Sequence, residues 1–213
     1  MFGVAILAGV LAGWMRGGQL WAIGAARIRL AWLIPLGLAA QVVMIGATGL
    51  DVPWWVLPLH LATYALLFTT IVANWRMSGL PVIGVGLLMN ALVIFSNGGL
   101  MPQAPETLHV MHAGEEIAIG QHIPRSKDVL LPRAQTHLWW LSDVVTMPRG
   151  SPVQMVFSLG DVVVALGLAW TVRGLMQPLT PQTQRLPQTQ QASASWRNRS
   201  RRPGHLKGLA LWQ

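Results

Sequence analysis

Residues 80–102 read LPVIGVGLLMNALVIFSNGGLMP, and this stretch decides the expected fold. It is apolar from Leu80 to Phe95 except for Asn90, as in a helix that crosses a membrane. It then breaks at Asn97-Gly98-Gly99, where glycine allows a positive φ at little cost. The stretch therefore predicts a spanning helix that opens onto a polar segment.

The composition of the whole chain points to the same class of protein. Of its 213 residues, 53% are hydrophobic and 10% are charged, and the mean hydropathy is +0.47. A soluble domain has roughly 25% charged residues. The chain has no cysteine, which excludes disulfides, thiolate nucleophiles and cysteine-based metal sites. An integral membrane protein is therefore expected.

The pattern predicts an all-α bundle of five transmembrane helices. An uncleaved first helix is expected because no positive charge precedes the first apolar run. Residues 17–30 are expected to lie in the membrane interface, and residues 135–145 to form a short helix on the membrane surface. The five predicted spans are 1–14, 31–50, 54–75, 80–95 and 153–173.

The distribution of charge predicts the orientation. Segments 15–30 and 75–80 and the tail 174–213 are basic and contain no acidic residue, whereas loop 97–151 holds most of the acids. Basic segments stay on the cytoplasmic side. We expect the N-terminus and the 97–151 loop outside and the C-terminus inside. The two regions are then a membrane domain, 1–173, and a basic cytoplasmic tail whose composition predicts disorder.

The tail also predicts a partner. Its arginines lie beside a membrane, so anionic lipid is favoured over nucleic acid as their ligand. The residues predicted to bind lipid are Arg197, Arg199, Arg201 and Arg202.

Polar side chains in three predicted spans fall at similar depth. His60, Asn90 and Asp161 are each within about two helical turns of the outer surface. An ionisable group in a span is costly, so Asp161 is expected to face the bundle or a cavity. One hypothesis is an outward-facing ligand or proton pocket around Asp161. The other is structural: Asp161 caps its own helix, and the histidine and amide bond to neighbouring helices.

The loop offers two weaker candidate sites. The amides of Asn97-Gly98-Gly99 suit either an anion-binding nest or the simple end of a helix. The loop also contains histidines and acids whose spacing matches no strong metal motif, so no metal site is predicted. They are His109, His112, Glu115, Glu116, His122 and His137.

Several short motifs resemble those of an uncharacterised family of small bacterial multi-pass membrane proteins, classified as a domain of unknown function. The most specific are Asn-Gly-Gly-x-Met-Pro at 97–102 and Ser-x-Gly-Asp at 158–161, supported by residues 26–30 and 136–143. The resemblance covers residues 1–173. It implies a bacterial cytoplasmic membrane, supplies no activity or cofactor, and directs attention to Asn90, Asn97, Asp143 and Asp161.

Three functions follow as hypotheses. The first is a non-catalytic accessory or scaffold subunit of a larger membrane complex, since glycine-bearing helices, interfacial tryptophans and a long outer loop suit docking. The second is a small-molecule, ion or proton-handling protein, with Asp161, His60 and Asn90 at its site. The third is a membrane enzyme acting on lipid, with Asp143, Asp161 and the histidines of the outer loop in acid–base roles. No nucleophile–base pair is evident, which favours a non-enzymatic role.

Overall fold

The structure is a computed structural model, and it describes residues 1–48, 53–108, 117–124, 126–147 and 155–177. The tail with its four arginines lies outside the described residues, as do His109, His112, Glu115 and Glu116.

The described part of the chain is mostly helical. Its helices are α1 (Phe2–Trp14), α2 (Trp21–Ala25), α3 (Leu33–Ala47), α4 (Val56–Ala73), α5 (Leu80–Ser96) and α6 (Leu159–Leu175). By length and composition α4 suffices to cross a membrane, while α1, α3 and α5 are apolar but shorter. The short α2 falls within the segment expected at the interface.

Local sequence sets the boundaries of α5 and α6. Gly79, at φ 87°, precedes α5, and Pro81 fits its first turn because proline needs no amide there. Helix α6 begins at Leu159, later than the predicted start of its span at 153. Ser158 and Asp161 form a capping box there, and Val156–Phe157 before it are a strand.

Helix α6 packs against both α1 and α5, and α3 packs against α4. Glycines allow the close approach at both surfaces of α6. A Cβ atom on Gly86 of α5 would lie 2.6 Å from the Gly160 carbonyl oxygen, and one on Gly9 of α1 would lie 2.6 Å from the Ala169 carbonyl oxygen. These helices therefore meet backbone to backbone.

The described parts of segment 97–157 contain little helix. Strand β1 (Met101–Gln103) pairs in parallel with β2 (Asp128–Leu130), and β3 (Val145–Thr146) pairs antiparallel with β4 (Val156–Phe157). The predicted surface helix at 135–145 is wrong. Two 3₁₀ turns, Arg133–Gln135 and Trp139–Leu141, replace it, because Leu138 between them takes φ 56°.

The largest buried cluster lies where this segment meets the helices. Tyr64 of α4 and Ile94 of α5 pack there with Met101 of β1 and Leu141 of the second 3₁₀ turn. The core thus joins the segment to the Gly99 end of α5.

Candidate functional site

Asp161 lies in a closed hydrogen-bond network at the start of α6. Its amide donates to Ser158 Oγ at 3.0 Å, and the Ser158 amide donates to Asp161 Oδ2 at 3.2 Å. Asn90 Nδ2 donates to Asp161 Oδ1 at 2.8 Å, and Ser158 Oγ donates to Asn90 Oδ1 at 2.9 Å. Both carboxylate oxygens therefore already have partners, the arrangement that the structural hypothesis for Asp161 describes.

His60 does not complete this network. Its Nδ1 atom lies 3.1 Å from the Gly99 carbonyl oxygen, a bond that a protonated Nδ1 donates. Its ring packs at 5.3 Å from Tyr64 and 6.3 Å from Phe95, measured between centroids. The three residues expected to share a pocket are thus divided, with Asn90 on Asp161 and His60 on the loop backbone.

Asn97 holds the segment that follows the helix. Its Oδ1 atom accepts from the His137 amide at 2.9 Å, and its Nδ2 group donates to the His137 carbonyl at 2.9 Å. The amides of Asn97 and Gly99 both donate to the Ile94 carbonyl, as at an ordinary helix end. Gly98 and Gly99 have φ of 81° and 93°, the positive values that the sequence predicts.

Two acidic residues of the segment, Asp128 and Asp143, converge on Lys127. Backbone hydrogen bonds join Met101 to Lys127 at 2.9 Å and Asp143 to Pro102 at 3.1 Å, so β1 lies between the two. Asp128 pairs with Met101 across the strands, and Gln103 bridges to Asp143. We call Lys127, Asp128, Asp143 and Gln103 the Lys127 centre.

Three polar atoms of the Lys127 centre are buried without a hydrogen-bond partner. They are Gln103 Nε2, Asp143 Oδ1 and Asp128 Oδ1. Gln103 is 1% exposed and Asp143 is 4% exposed. Buried polar atoms in folded proteins nearly always have a partner, which is often water or a bound solute.

The three charged residues of the Lys127 centre shift one another's pKa values. Burial raises the pKa of Asp143 to about 8; Lys127 opposes this shift, while Asp128 and Asp161 add to it. Burial also raises the pKa of Asp128, against the effects of Lys127 and a hydrogen bond from Ser126. Burial by itself would lower the pKa of Lys127, but Asp143, Asp161 and Asp128 outweigh it and hold that pKa above its usual value.

Of these residues, the sequence reasoning singled out Asp143 and missed Lys127, Asp128 and Gln103. One feature of the sequence could have marked Lys127 as a candidate. Lys127 and Lys207 are the only lysines in a chain whose other basic side chains, apart from histidine, are arginines. The pairing that buries Lys127 joins distant strands, and no local pattern reveals it.

The other two described histidines, His122 and His137, contact backbone groups. His122 Nε2 lies 3.0 Å from the Ser126 carbonyl oxygen, and His137 contacts Asn97 through its backbone. Within the described ranges, no three His, Asp or Glu side chains are grouped to hold a metal ion.

Comparison with known proteins gives a family and no activity. The profile of DUF5317, a family of unknown function, matches residues 25–173. The expected classification is confirmed, although the match begins at residue 25 and leaves out α1. Neither the curated proteins nor the solved structures include a significant match. Because the profile matches more than half of the chain, the chain belongs to the DUF5317 family.

Proposed function

We propose that this protein crosses a bacterial cytoplasmic membrane five times, through α1, α3, α4, α5 and α6, with its N-terminus outside. The length of α4 and the many exposed apolar side chains on the helices support this. The charge distribution agrees, since Arg27, Arg29 and Arg76 lie towards one end of the helices and Asp143 and Asp161 towards the other. The shorter helices require local thinning of the bilayer or extension by their flanking turns.

The absence of cysteine makes this topology directly testable. Ala134→Cys and Ser78→Cys each introduce one exposed thiol, in the outer segment and in the turn between α4 and α5. In spheroplasts, a membrane-impermeant maleimide should label Ala134→Cys, and should label Ser78→Cys only after lysis. Labelling of both in intact spheroplasts would overturn the five-span arrangement, and the reverse pattern would invert it.

We further propose that the protein binds a proton or a small cation at the Lys127 centre. The observation that carries this is the buried carboxylate oxygen Asp143 Oδ1, which has no hydrogen-bond partner and shares its surroundings with a second such oxygen, Asp128 Oδ1. Asp161 is a poor ligand because its own network uses both of its oxygens. Asp143 keeps one oxygen free, and its pKa of about 8 places a change of protonation near neutral pH.

Carboxyl groups also outnumber amines at this place. Asp128, Asp143 and Asp161 all act on Lys127, the single described lysine. A further positive charge would offset this imbalance, whether it came as a proton on Asp143 or as a cation beside it.

The test uses the purified full chain in mild detergent. Its thermal unfolding is followed in sodium, potassium and choline chloride at constant ionic strength, each across a range of pH. We expect a saturable stabilisation by a small cation or by protons that Asp143→Asn reduces and Glu106→Gln, at an exposed acid of the same segment, does not. Identical cation and pH responses in wild type and Asp143→Asn would overturn the proposal.

Docking into a larger complex as an accessory subunit stays a prediction. The large exposed apolar residues on α1 and α3, such as Val4 and Val42, suit another membrane protein or lipid equally. Recovery of a stoichiometric partner after mild extraction from the native host would support docking. Recovery of this chain alone would count against it.

A further inference from the structure

A polar cavity lies at the opposite end of the helices from the Lys127 centre. It has a volume of about 220 Å³ and opens between the turn that joins α4 to α5 and the last turn of α6. Its lining residues are Arg76, Met77, Ser78, Thr171, Gly174 and Leu175. The Thr171 hydroxyl donates to the Gly167 carbonyl, so Arg76 and Ser78 are the polar groups left to meet a ligand.

The charge around this cavity is positive and uncompensated. The Arg76 guanidinium is exposed and lies 5.3 Å from the centre of the Trp75 ring, which supports it beside the opening. Arg173 lies in the last turn of α6, and α5 starts here with no acidic residue in its first turn. The described Asp and Glu residues all lie at the other end, in the segment after α5 or at the start of α6. The cavity therefore favours an anion.

Two exposed tryptophans give the depth of the cavity in the membrane. Trp75 is 61% exposed and Trp170 is 49% exposed, and each precedes a lining residue. Tryptophan is enriched at the headgroup level of bilayers, where its ring and its N–H group are both satisfied. An opening flanked by two such residues faces phospholipid headgroups.

We propose that this cavity binds the phosphate of an anionic phospholipid, with Arg76 as its charged contact and Ser78 as a hydrogen-bond donor. The inference rests on the membrane location proposed above and is independent of the Lys127 centre. The geometry suits a phosphate because arginine pairs with phosphate oxygens through several N–H groups at once.

The chain offers a matched control for Arg76. Arg133 also stacks on a tryptophan, with its guanidinium 5.1 Å from the Trp139 ring, but it lies in the outer segment away from the cavity. Arg76→Gln and Arg133→Gln remove the same charge from similar surroundings. Only the first should affect lipid binding.

The test measures saturable stabilisation of the full chain in neutral detergent by phosphatidylglycerol, phosphatidylcholine and inorganic phosphate. High salt screens the general attraction of the basic tail for anionic lipid. We expect phosphatidylglycerol to stabilise wild type and Arg133→Gln, and its affinity to fall about tenfold in Arg76→Gln, as loss of one charge-assisted contact implies. Ser78→Val should weaken it by a smaller factor.

Three results would overturn the proposal. The first is an equal affinity of Arg76→Gln and Arg133→Gln for phosphatidylglycerol. The second is equal stabilisation by phosphatidylcholine and phosphatidylglycerol. The third is equal stabilisation by inorganic phosphate and phosphatidylglycerol, which would reassign the cavity to a soluble anion. Asp143→Asn separates this proposal from the previous one, because it should leave the lipid response unchanged.

Discussion

Asn90 on α5 and Asp161 on α6 are joined by a hydrogen bond of 2.8 Å, and Ser158 closes the network by donating to the same asparagine. These buried groups stabilise each other because each satisfies a partner that would otherwise lose its bond. We expect Asn90→Ala and Ser158→Ala each to destabilise the protein, and their effects to be non-additive by about 0.5–3 kcal/mol. A double-mutant cycle on unfolding in detergent measures this coupling, and simple additivity would contradict the network.

The contact between α5 and α6 predicts that alanine substitutions at two glycines have very different effects on stability. A Cβ atom on Gly160 would overlap Asn90 Oδ1, whereas Gly46 of α3 has no atom within 4 Å of such a position. We expect Gly160→Ala to destabilise the protein by about 1–3 kcal/mol through overpacking. Gly46→Ala should be neutral or stabilising by up to about 1 kcal/mol, because alanine favours a helix. Equal unfolding midpoints for the two variants would refute the close approach.

The raised pKa of Asp143 predicts how the stability of the protein depends on pH. Burial raises the pKa of Asp143 to about 8 from an ordinary value of 3.8, so the folded state favours the protonated carboxyl. That stabilisation is complete below the pKa that Asp143 has in the unfolded state. It is lost as the pH rises through the pKa that Asp143 has in the folded state. The midpoint temperature of thermal unfolding should therefore decrease as the pH is raised from about 5 to about 8.

Asp143→Asn should make this fall smaller. Asp128, whose pKa burial also raises, should leave some of the decline in place. Lys127 stays protonated across the range because its pKa is raised. An unchanged pH profile in Asp143→Asn would show that this carboxyl is not the titrating group.

The hydrogen bonds of the Asn97 side chain predict the protease resistance of segment 97–157. This side chain makes two hydrogen bonds to the backbone of His137, four residues beyond the exposed Arg133. Asn97→Ala should speed trypsin cleavage after Arg133 because it releases this clamp. Thr69→Ala is the control, since the exposed Thr69 hydroxyl donates to the Ala65 carbonyl of its own helix, α4. Cleavage at the same rate in both variants would contradict the clamp.

The sequence predicted the positions of the helices well and the structure of segment 97–157 poorly. Helical periodicity and apolar runs are local signals, so the predicted span at 80–95 matches α5 within one residue. The late start of α6 was also legible, because Ser158 and Asp161 have capping-box spacing, but the apolar residues before them suggested an earlier start.

The candidate site was harder to predict because distant residues build it. Asp161 stood out as an acid in an apolar run, yet the structure occupies both of its oxygens. Lys127 looked like an ordinary loop residue, and Asp143 was singled out without the partners that bury it. They become buried because β2 pairs with β1 and Asp143 bridges to Gln103, and such pairings have no periodic signature.

The central position of α6 also bears on assembly during synthesis. This helix comes after all the other described helices in the chain, yet it covers the glycine surfaces of both α1 and α5. Until the ribosome has released it, Gly9 and Gly86 have no partner backbone, and Asn90 has no carboxylate to bind. In the five-span arrangement proposed above, the earlier helices therefore wait in the bilayer with these surfaces uncovered, and the bundle closes in one late step when its last helix inserts between them.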